Sequence, residues 1–306
     1  MTADTVRSES GSVARPPAEL PEWLRAIYPF SPRRHETPAG TMSYLDEGVG
    51  DEAVLMVHGN PTWSFFYRSV ILALRDSIRC VALDHLGCGL SDKPQDYDYS
   101  LPNHIANLRG LVDRLGLRKI HLIVHDWGGP IGLGAMLPLG EKLGKVVILN
   151  TAAFADTKIP LRIRACRAPV IGELLVRGLN GFAGPATWMA VTKRLPGPVR
   201  DGFLFPYDSW ANRIAVHRFV RDIPSGKGTA SDSALAGIES SLPKLRERPI
   251  RIIWGARDFC FNRHYFERWR AILPEAKADY LADAGHYLIE DGREQVTGAI
   301  REHLGA

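Results

Sequence analysis

The pattern of apolar and polar residues alternates between short apolar runs and longer segments with helical spacing. The clearest apolar run occupies residues 120–124, within the stretch KIHLIVHDWGGPI. A short Ile/Leu/Val run bounded by glycine is typical of a strand that is buried on both faces. Because Gly128 and Gly129 follow this run closely, the chain can turn sharply there. We therefore predict a strand, a tight turn and a helix start over residues 119–131.

Similar apolar runs recur along the chain, with helical segments between them. Strands are predicted at 41–45, 53–57, 80–83, 119–124, 146–149, 250–254 and 279–281, and helices at 21–28, 64–74, 101–115, 261–272 and 293–304. Regular alternation of strand and helix predicts an α/β protein with a mostly parallel central sheet flanked by helices on both faces.

The alternation breaks between residues 154 and 236, where no buried strand is indicated. Short amphipathic helices are predicted there at 171–179, 185–192, 199–203 and 210–219. This segment can be a helical subdomain with its own small core, or a lid over an apolar pocket at the strand ends, and both can hold. We expect a flexible tail at 1–20, a core at 21–153 and 237–306, and an inserted helical cap at 154–236.

Composition limits the classes of function. The chain has 306 residues, of which 45 % are hydrophobic and 24 % charged, as in an ordinary soluble globular protein. Its 38 basic and 34 acidic residues give a net charge of +4 without an aromatic-interleaved basic stripe, so no nucleic-acid partner is expected. The basic cluster of Arg162, Arg164 and Arg167 is interpreted as a solvated helix face.

The lack of a recognisable targeting signal and the pattern of cysteines favour a cytoplasmic protein. No apolar run reaches about 18 residues, so no transmembrane segment is predicted. The four cysteines show no C-x-x-C spacing, and no signal peptide is evident, which together indicate free thiols in a reducing compartment. A homo-oligomer is compatible with the sequence.

Asp126 is the candidate nucleophile. It lies in the sequence HDWGG at 125–129, which resembles a G-x-S-x-G elbow with aspartate in place of serine. At such an elbow the side chain points out above the sheet, and the following helix N-terminus favours an anion. Attack by an aspartate makes an ester with the enzyme that water must later open. The simpler alternative is an N-cap aspartate.

Two later residues occupy the positions that the partners of such a nucleophile require. Asp258 ends the strand-to-loop segment IIWGARD, and His286 lies on the glycine turn of DAGH after the last strand. The order of nucleophile, acid and histidine is that of α/β-hydrolases. We predict that His286 is the general base and that Asp258 orients it. Asn150 lies where some relatives place the acid, but it carries no carboxyl group.

Five motifs resemble those of haloalkane dehalogenases: HGNPTWSFFYR, DHLGCGLSDKP, HDWGGPIG, WGARDF and DAGHYLIED. The resemblance implies an α/β-hydrolase fold with Asp126 as nucleophile, His286 as base and Asp258 as acid. It also implies that Asn60 and the indole N–H of Trp127 stabilise the halide, and that their backbone N–H groups form an oxyanion hole. Alternatively, Asn60 is only a turn residue and Trp127 only a packing residue.

Three further segments narrow this resemblance. They resemble segments of the dehalogenase subgroup that also contains olefin β-lactone decarboxylases, and their sequences are LNTAAF, PYDSWANRI and FCFNRHYFERW. In those enzymes the same aspartate is thought to attack a long-chain β-lactone, and loss of carbon dioxide gives an alkene. Because both reactions use the same triad, the triad cannot choose between them.

The expected function is haloalkane dehalogenation, in which a covalent ester on aspartate is hydrolysed to an alcohol and a halide is released. β-Lactone decarboxylation is the alternative. Epoxide hydrolysis is disfavoured because it usually needs two cap tyrosines, and the cap contains only Tyr207. Fluoroacetate dehalogenases carry a basic residue where Trp127 lies, and a ligand receptor of this fold would be expected to lack a triad member.

The expected partners are a small apolar substrate and a halide ion. The pocket is expected to be lined by Phe154, Trp188, Phe203, Tyr207 and Phe261. No cluster of metal ligands and no phosphate-binding glycine loop occurs in the sequence, so neither a metal nor an organic cofactor is expected.

Overall fold

The computed structural model describes residues 20–156, 160–226 and 228–306. All but the last residue of the predicted tail at 1–20 therefore lies outside the described residues. Eight strands form one sheet: β1 (Arg33–Thr37), β2 (Gly40–Glu47), β3 (Glu52–Val57), β4 (Arg79–Leu83), β5 (Lys119–His125), β6 (Leu143–Leu149), β7 (Ile250–Gly255) and β8 (Lys277–Leu281). Their order is β1-β2-β4-β3-β5-β6-β7-β8.

The pairing confirms a mostly parallel sheet. β2 pairs antiparallel with β1 and with β4, whereas the pairs from β4 through β8 are parallel. The carboxyl ends of β3, β5, β6 and β7 therefore lie at the same edge, and the segments that follow them can meet there.

Thirteen α-helices occur in the described part of the chain. They are α1 (Glu22–Arg25), α2 (Arg68–Leu74), α3 (Leu101–Leu115), α4 (Gly128–Met136), α5 (Leu161–Cys166), α6 (Ile171–Glu173), α7 (Ala183–Met189), α8 (Gly197–Leu204), α9 (Ile214–Asp222), α10 (Ala230–Ser241), α11 (Arg263–Ile272), α12 (Leu288–Asp291) and α13 (Arg293–Leu304). A π-helical turn, Leu174–Gly178, follows α6. Among the described residues, no helix combines the length and apolar character needed to cross a membrane.

Successive residues of β3 point into two separate apolar layers. Leu55 and Val57 pack in the layer formed with α3, α4 and α11, whereas Val54 and Met56 pack in the layer formed with α1, α2 and α13. Alternation of side chains across a strand explains this division. An uninterrupted apolar run is needed because helices cover both faces of the sheet.

Two sequence predictions differ from the structure in instructive ways. The edge strand β1 has the polar sequence RRHET and was not predicted, because an exposed edge strand lacks an apolar run. The single helix predicted at 64–74 consists of a 3-10 turn, Ser64–Tyr67, followed by α2. By contrast, α3 has the predicted bounds and ends at Gly116, which has the left-handed φ of 58° that favours glycine.

The described residues between β6 and α10 contain α5 to α9 and no strand. They have a small apolar core of their own, which includes Ile163, Val176 and Val216. The boundary proposed at residue 236 falls inside α10. Leu235 and Ile238 of α10 pack against the large layer that contains α3 and α4. We use the name cap for residues 154–236 as a proposed division.

Candidate active site

Asp126 lies on a sharp turn between β5 and α4. Its φ is 52°, in the left-handed region that a non-glycine residue adopts at an energetic cost. The turn packs tightly against neighbouring backbone, since a Cβ added at Gly128 would overlap the carbonyl oxygen of Val57. A Cβ at Gly129 would overlap the hydroxyl of Thr151. The two glycines after the aspartate therefore allow the turn that carries the carboxylate.

The Asp126 carboxylate is held by backbone N–H groups. The N–H of Asn60 donates to Oδ1 at 2.6 Å, and the N–H of Trp127 also donates to this carboxylate. Oδ2 lies 3.8 Å from Nε2 of His286. Burial raises the pKa of Asp126, and the nearby His286 and the two N–H donors only partly oppose this rise. The backbone groups predicted as an oxyanion hole thus contact the carboxylate of the predicted nucleophile.

His286 lies between two carboxylates. Its Nδ1 donates to Oδ2 of Asp258 at 2.7 Å, and its Nε2 faces Asp126. Burial alone would lower the pKa of His286, but the negative charges of Asp258 and Asp126, and the hydrogen bond to Asp258, raise it overall. The structure therefore brings Asp126, His286 and Asp258 together in the predicted order.

Asn150 holds the carboxylate of Asp258 in place, a contact that sequence reasoning missed. Its amide nitrogen donates to Oδ2 of Asp258 at 2.9 Å, and its amide oxygen accepts from the N–H of Gly255 at 2.7 Å. The other oxygen of Asp258 accepts from the backbone N–H groups of Cys260 and Phe261 at 2.7 and 3.0 Å. The available sequence signal was an asparagine at the end of the strand next to that of the acid.

The side chains of Asn60 and Trp127 both face the cavity that contains Asp126. The amide nitrogen of Asn60 donates to the carbonyl of Val216 in α9 at 3.1 Å, which ties the core to the cap. One of its two N–H bonds is thus engaged by protein. The indole of Trp127 packs on Phe219 with ring centroids 5.3 Å apart.

A cavity of about 600 Å³ extends from this site. Asp126, His286 and the amide of Asn60 provide polar groups on its wall, while most of the remaining wall is apolar. Core and cap both contribute to that wall, which includes Leu101, Pro130, Phe154, Ile163, Leu175, Phe182, Trp188, Met189, Val220, Ile223, Leu235, Phe259, Cys260, Phe261 and Tyr265. A cavity of this size, mostly apolar and with a few converging polar groups, suits an apolar small molecule.

The expected pocket residues divide into two groups. Phe154, Trp188 and Phe261 line the cavity. Phe203 and Tyr207 do not, and their assignment to the pocket is corrected here: the ring of Phe203 stacks at 4.9 Å on the ring of Tyr287. Phe203 lies in a predicted amphipathic helix, but helical periodicity could not tell which layer buries its side chain.

Tyr207 instead takes part in the packing between cap and core. Its side chain is buried in the cap core, and its hydroxyl donates to the carbonyl of Thr62 at 3.2 Å.

Among residues 20–156, 160–226 and 228–306, no three His, Cys, Asp or Glu side chains are grouped so that they could hold a metal ion.

Comparisons with known proteins show the family to which this chain is similar. A protein-family model described as the alpha/beta hydrolase family matches residues 54–299. A cis-3-alkyl-4-alkyloxetan-2-one decarboxylase from Shewanella oneidensis is 43 % identical over 289 residues, which cover 92 % of this chain and 90 % of that protein. Haloalkane dehalogenase 2 from Mycobacterium tuberculosis is 31 % identical over 91 % of this chain and 96 % of its own length.

Solved structures show the same fold at lower identity. A loop variant of a haloalkane dehalogenase from Bradyrhizobium elkanii superimposes with a TM-score of 0.81, covering 90 % of this chain and 97 % of that chain. Its sequence identity is 21 %, so this likeness is evidence for the fold alone.

Proposed function

The chain belongs to the alpha/beta hydrolase family, and we propose that it decarboxylates cis-3,4-dialkyl-oxetan-2-ones, which are four-membered β-lactones. Each lactone would give one alkene and one carbon dioxide. The chain is more similar in sequence to a decarboxylase of that name than to the matched dehalogenase, which supports β-lactone decarboxylation ahead of haloalkane dehalogenation. The order is the reverse of the one expected from the sequence.

The observation that carries the proposal is the cavity of about 600 Å³ with a mostly apolar wall next to Asp126. A two-carbon haloalkane would fill little of that volume. Two alkyl chains would remove far more apolar surface from water, at roughly 0.8 kcal/mol for each buried CH₂ group. That binding energy can hold the lactone ring against Asp126 while the chains occupy the apolar wall.

In the first step, Oδ2 of Asp126 attacks ring carbon C4, and the bond between C4 and the ring oxygen breaks. The ring oxygen takes the electron pair, so the negative charge of Asp126 moves to the carboxylate that the ring opening releases. A protonated His286, stabilised by Asp258, can hold this new carboxylate by charge and hydrogen bonding. The side-chain N–H groups of Asn60 and Trp127 are further donors on the cavity wall.

In the second step, the bond between C3 and the carboxylate breaks, and its electron pair forms the C3=C4 double bond. The bond from C4 to Oδ2 breaks at the same time, which returns the electron pair to Asp126. Neither water nor a net proton is consumed. Inversion at C4 followed by anti fragmentation gives a cis alkene from a cis lactone.

Haloalkane dehalogenation is the second candidate. The observation that favours it is the pair of N–H donors on Asn60 and Trp127 beside Asp126, because a departing halide needs such donors. In that reaction the ester on Asp126 is opened by a water that His286 activates as a general base.

The test of the proposed function is the product balance of the purified chain with a long-chain cis-3,4-dialkyl-oxetan-2-one. Gas chromatography should find a cis alkene and carbon dioxide in equal amounts, and Asp126→Asn should form neither above the uncatalysed background. Conversion of the lactone to a 3-hydroxy acid, or no conversion at all, would contradict the proposal.

A further inference from the structure

The outer surface of α5, α6 and the following π-helical turn exposes large apolar side chains to solvent. Five of them are between 55 % and 78 % exposed, and we call them the apolar cap face: Leu161, Val170, Ile171, Leu174 and Leu179. Ile171 and Leu174 lie one helical turn apart and so share one side of the helix. Clustered apolar exposure of this kind marks an interaction surface.

Exposed apolar side chains are concentrated in the cap. The described residues expose twelve large hydrophobic side chains, and seven of these lie within residues 154–236. Scattered single residues need no explanation, but this concentration does.

The cap also carries the positive charge of the protein. Residues 154–236 contain 12 Lys and Arg against 6 Asp and Glu, whereas the rest of the chain contains 26 against 28. Arg162 and Arg164 are exposed on α5, the helix that begins with Leu161. The basic cluster interpreted from the sequence as a solvated helix face therefore adjoins the apolar cap face.

The mouth of the cavity lies beside this surface. Arg162 and Trp188 line the cavity and are themselves exposed, so the cavity reaches solvent between α5 and α7. The guanidinium of Arg162 on α5 contacts the sulfur of Met189 on α7 at 3.7 Å. Tryptophan and arginine are the side chains that favour the boundary between water and a lipid bilayer.

We propose that the apolar cap face docks on an anionic lipid surface, with its leucine and isoleucine side chains in the acyl region and the arginines at the phosphates. Apolar residues together with basic residues form the composition that binds such a surface without spanning it. A second copy of the chain is disfavoured, because a symmetric contact would bring two cap surfaces of net charge +6 together. Docking would place the cavity mouth against the bilayer, where alkyl-chain substrates dissolve; only this last benefit rests on the proposed function.

The experiment is vesicle flotation of the full-length protein without substrate. Vesicles of phosphatidylcholine alone are compared with vesicles containing equal parts of phosphatidylcholine and phosphatidylglycerol, at about 0.1 M and about 1 M salt. The apolar variant combines Leu161→Gln, Ile171→Gln and Leu174→Gln, since glutamine keeps helix propensity. Its matched control combines Val49→Gln and Leu72→Gln, two exposed apolar residues outside the cap.

A second arm tests charge and does not depend on the folding of the triple variant. It compares Arg164→Glu in the cap with Arg270→Glu on α11, both exposed residues. We expect wild type to float with the anionic vesicles only, and to be released by high salt. The triple variant should bind at least about tenfold more weakly, Arg164→Glu more than about fivefold more weakly, and both controls within about twofold of wild type.

Four outcomes would overturn the proposal. These are no flotation of wild type, equal binding to neutral vesicles, binding by Arg164→Glu equal to wild type, or binding by a folded triple variant equal to wild type. A dimer of wild type in sedimentation analysis that the triple variant converts to monomer would also overturn it, since a second copy would then cover the face. Because substrate is absent, none of these results bears on the proposed function.

Discussion

The side-chain amide nitrogen of Asn150 donates a hydrogen bond of 2.9 Å to Oδ2 of Asp258. That oxygen also accepts the hydrogen bond from His286. Asn150 follows β6 and Asp258 follows β7, the neighbouring parallel strand, so the sheet itself sets their separation. The asparagine thus fixes the orientation of the acid, and through it the orientation of the histidine.

Asn150→Leu should therefore lower kcat by about 10- to 100-fold, because a hydrogen bond to a charged group contributes roughly 1.5–3 kcal/mol. KM should change little, since Asn150 does not line the cavity. Steady-state kinetics with the lactone substrate measure both values. The control is Asn212→Leu, which deletes an exposed hydrogen bond to Asp208 and should keep full activity. An unchanged kcat in a folded Asn150→Leu protein would show that Asp258 is held adequately by its backbone donors.

The His286→Phe variant should separate the two candidate reactions by what remains on Asp126. With a bromoalkane, the alkyl ester should accumulate, because no base activates the water that opens it. With the lactone, no lasting adduct is expected, because fragmentation frees Asp126 without water. Mass spectrometry of the peptide containing Asp126 measures the adduct, and Asp126→Asn serves as the control that forms none. An adduct on another residue would contradict the assignment of the nucleophile.

The pH dependence of the two reactions should also differ. The pKa of His286 is raised: burial would lower it, but the charges of Asp258 and Asp126 outweigh that effect. Sustained bromide release needs neutral His286 to open the ester, so the steady-state rate should fall as the pH drops through this raised pKa, above the ordinary value of about 6.5. Alkene formation needs ionised Asp126 and is assisted by protonated His286, so it should persist there. Rates for both substrates between about pH 5 and pH 9 test this, and coincident profiles would contradict it.

Trp127→Phe keeps an aromatic ring but deletes the indole N–H that can hold a halide. Removing one donor to a leaving group typically costs on the order of 3 kcal/mol, or more than about 100-fold in rate. Bromide release should therefore fall far more than alkene formation, because the carboxylate released from the lactone is also held by protonated His286. The rates of bromide release and of alkene formation, each measured on the wild type and on the variant, test this prediction. Equal losses on the two substrates would indicate that Trp127 serves a general oxyanion site.

The fold and the triad were predictable because their signals are local. Apolar runs identify strands that are covered on both faces, and the order of Asp126, Asp258 and His286 identifies the constellation. The predicted family is confirmed by the family match and by the relatives. Asn150 was missed because its role depends on which strands are neighbours, and Phe203 was misplaced because periodicity does not name the opposing layer.

The substrate class could not be predicted in the same way. Both candidate reactions begin with the same attack by Asp126 and differ in the group that leaves, so the triad carries no information about the choice. The shape and polarity of the cavity do carry it, and these depend on cap side chains such as Trp188 and Leu175. Their contribution depends on how the cap packs over the sheet, which is a tertiary feature.

We propose that this site fragments a β-lactone in preference to hydrolysing a carbon–halogen bond. The most direct test is kcat/KM measured on one preparation of the wild-type protein with two substrates of matched alkyl length, a cis-3,4-dialkyl-oxetan-2-one and a 1-bromoalkane. Alkene is quantified by gas chromatography and bromide by ion chromatography. We expect kcat/KM for alkene formation to exceed that for bromide release by at least about 100-fold, which corresponds to roughly 2.7 kcal/mol at the transition state. Bromide release at an equal or higher kcat/KM, with little or no alkene, would contradict it.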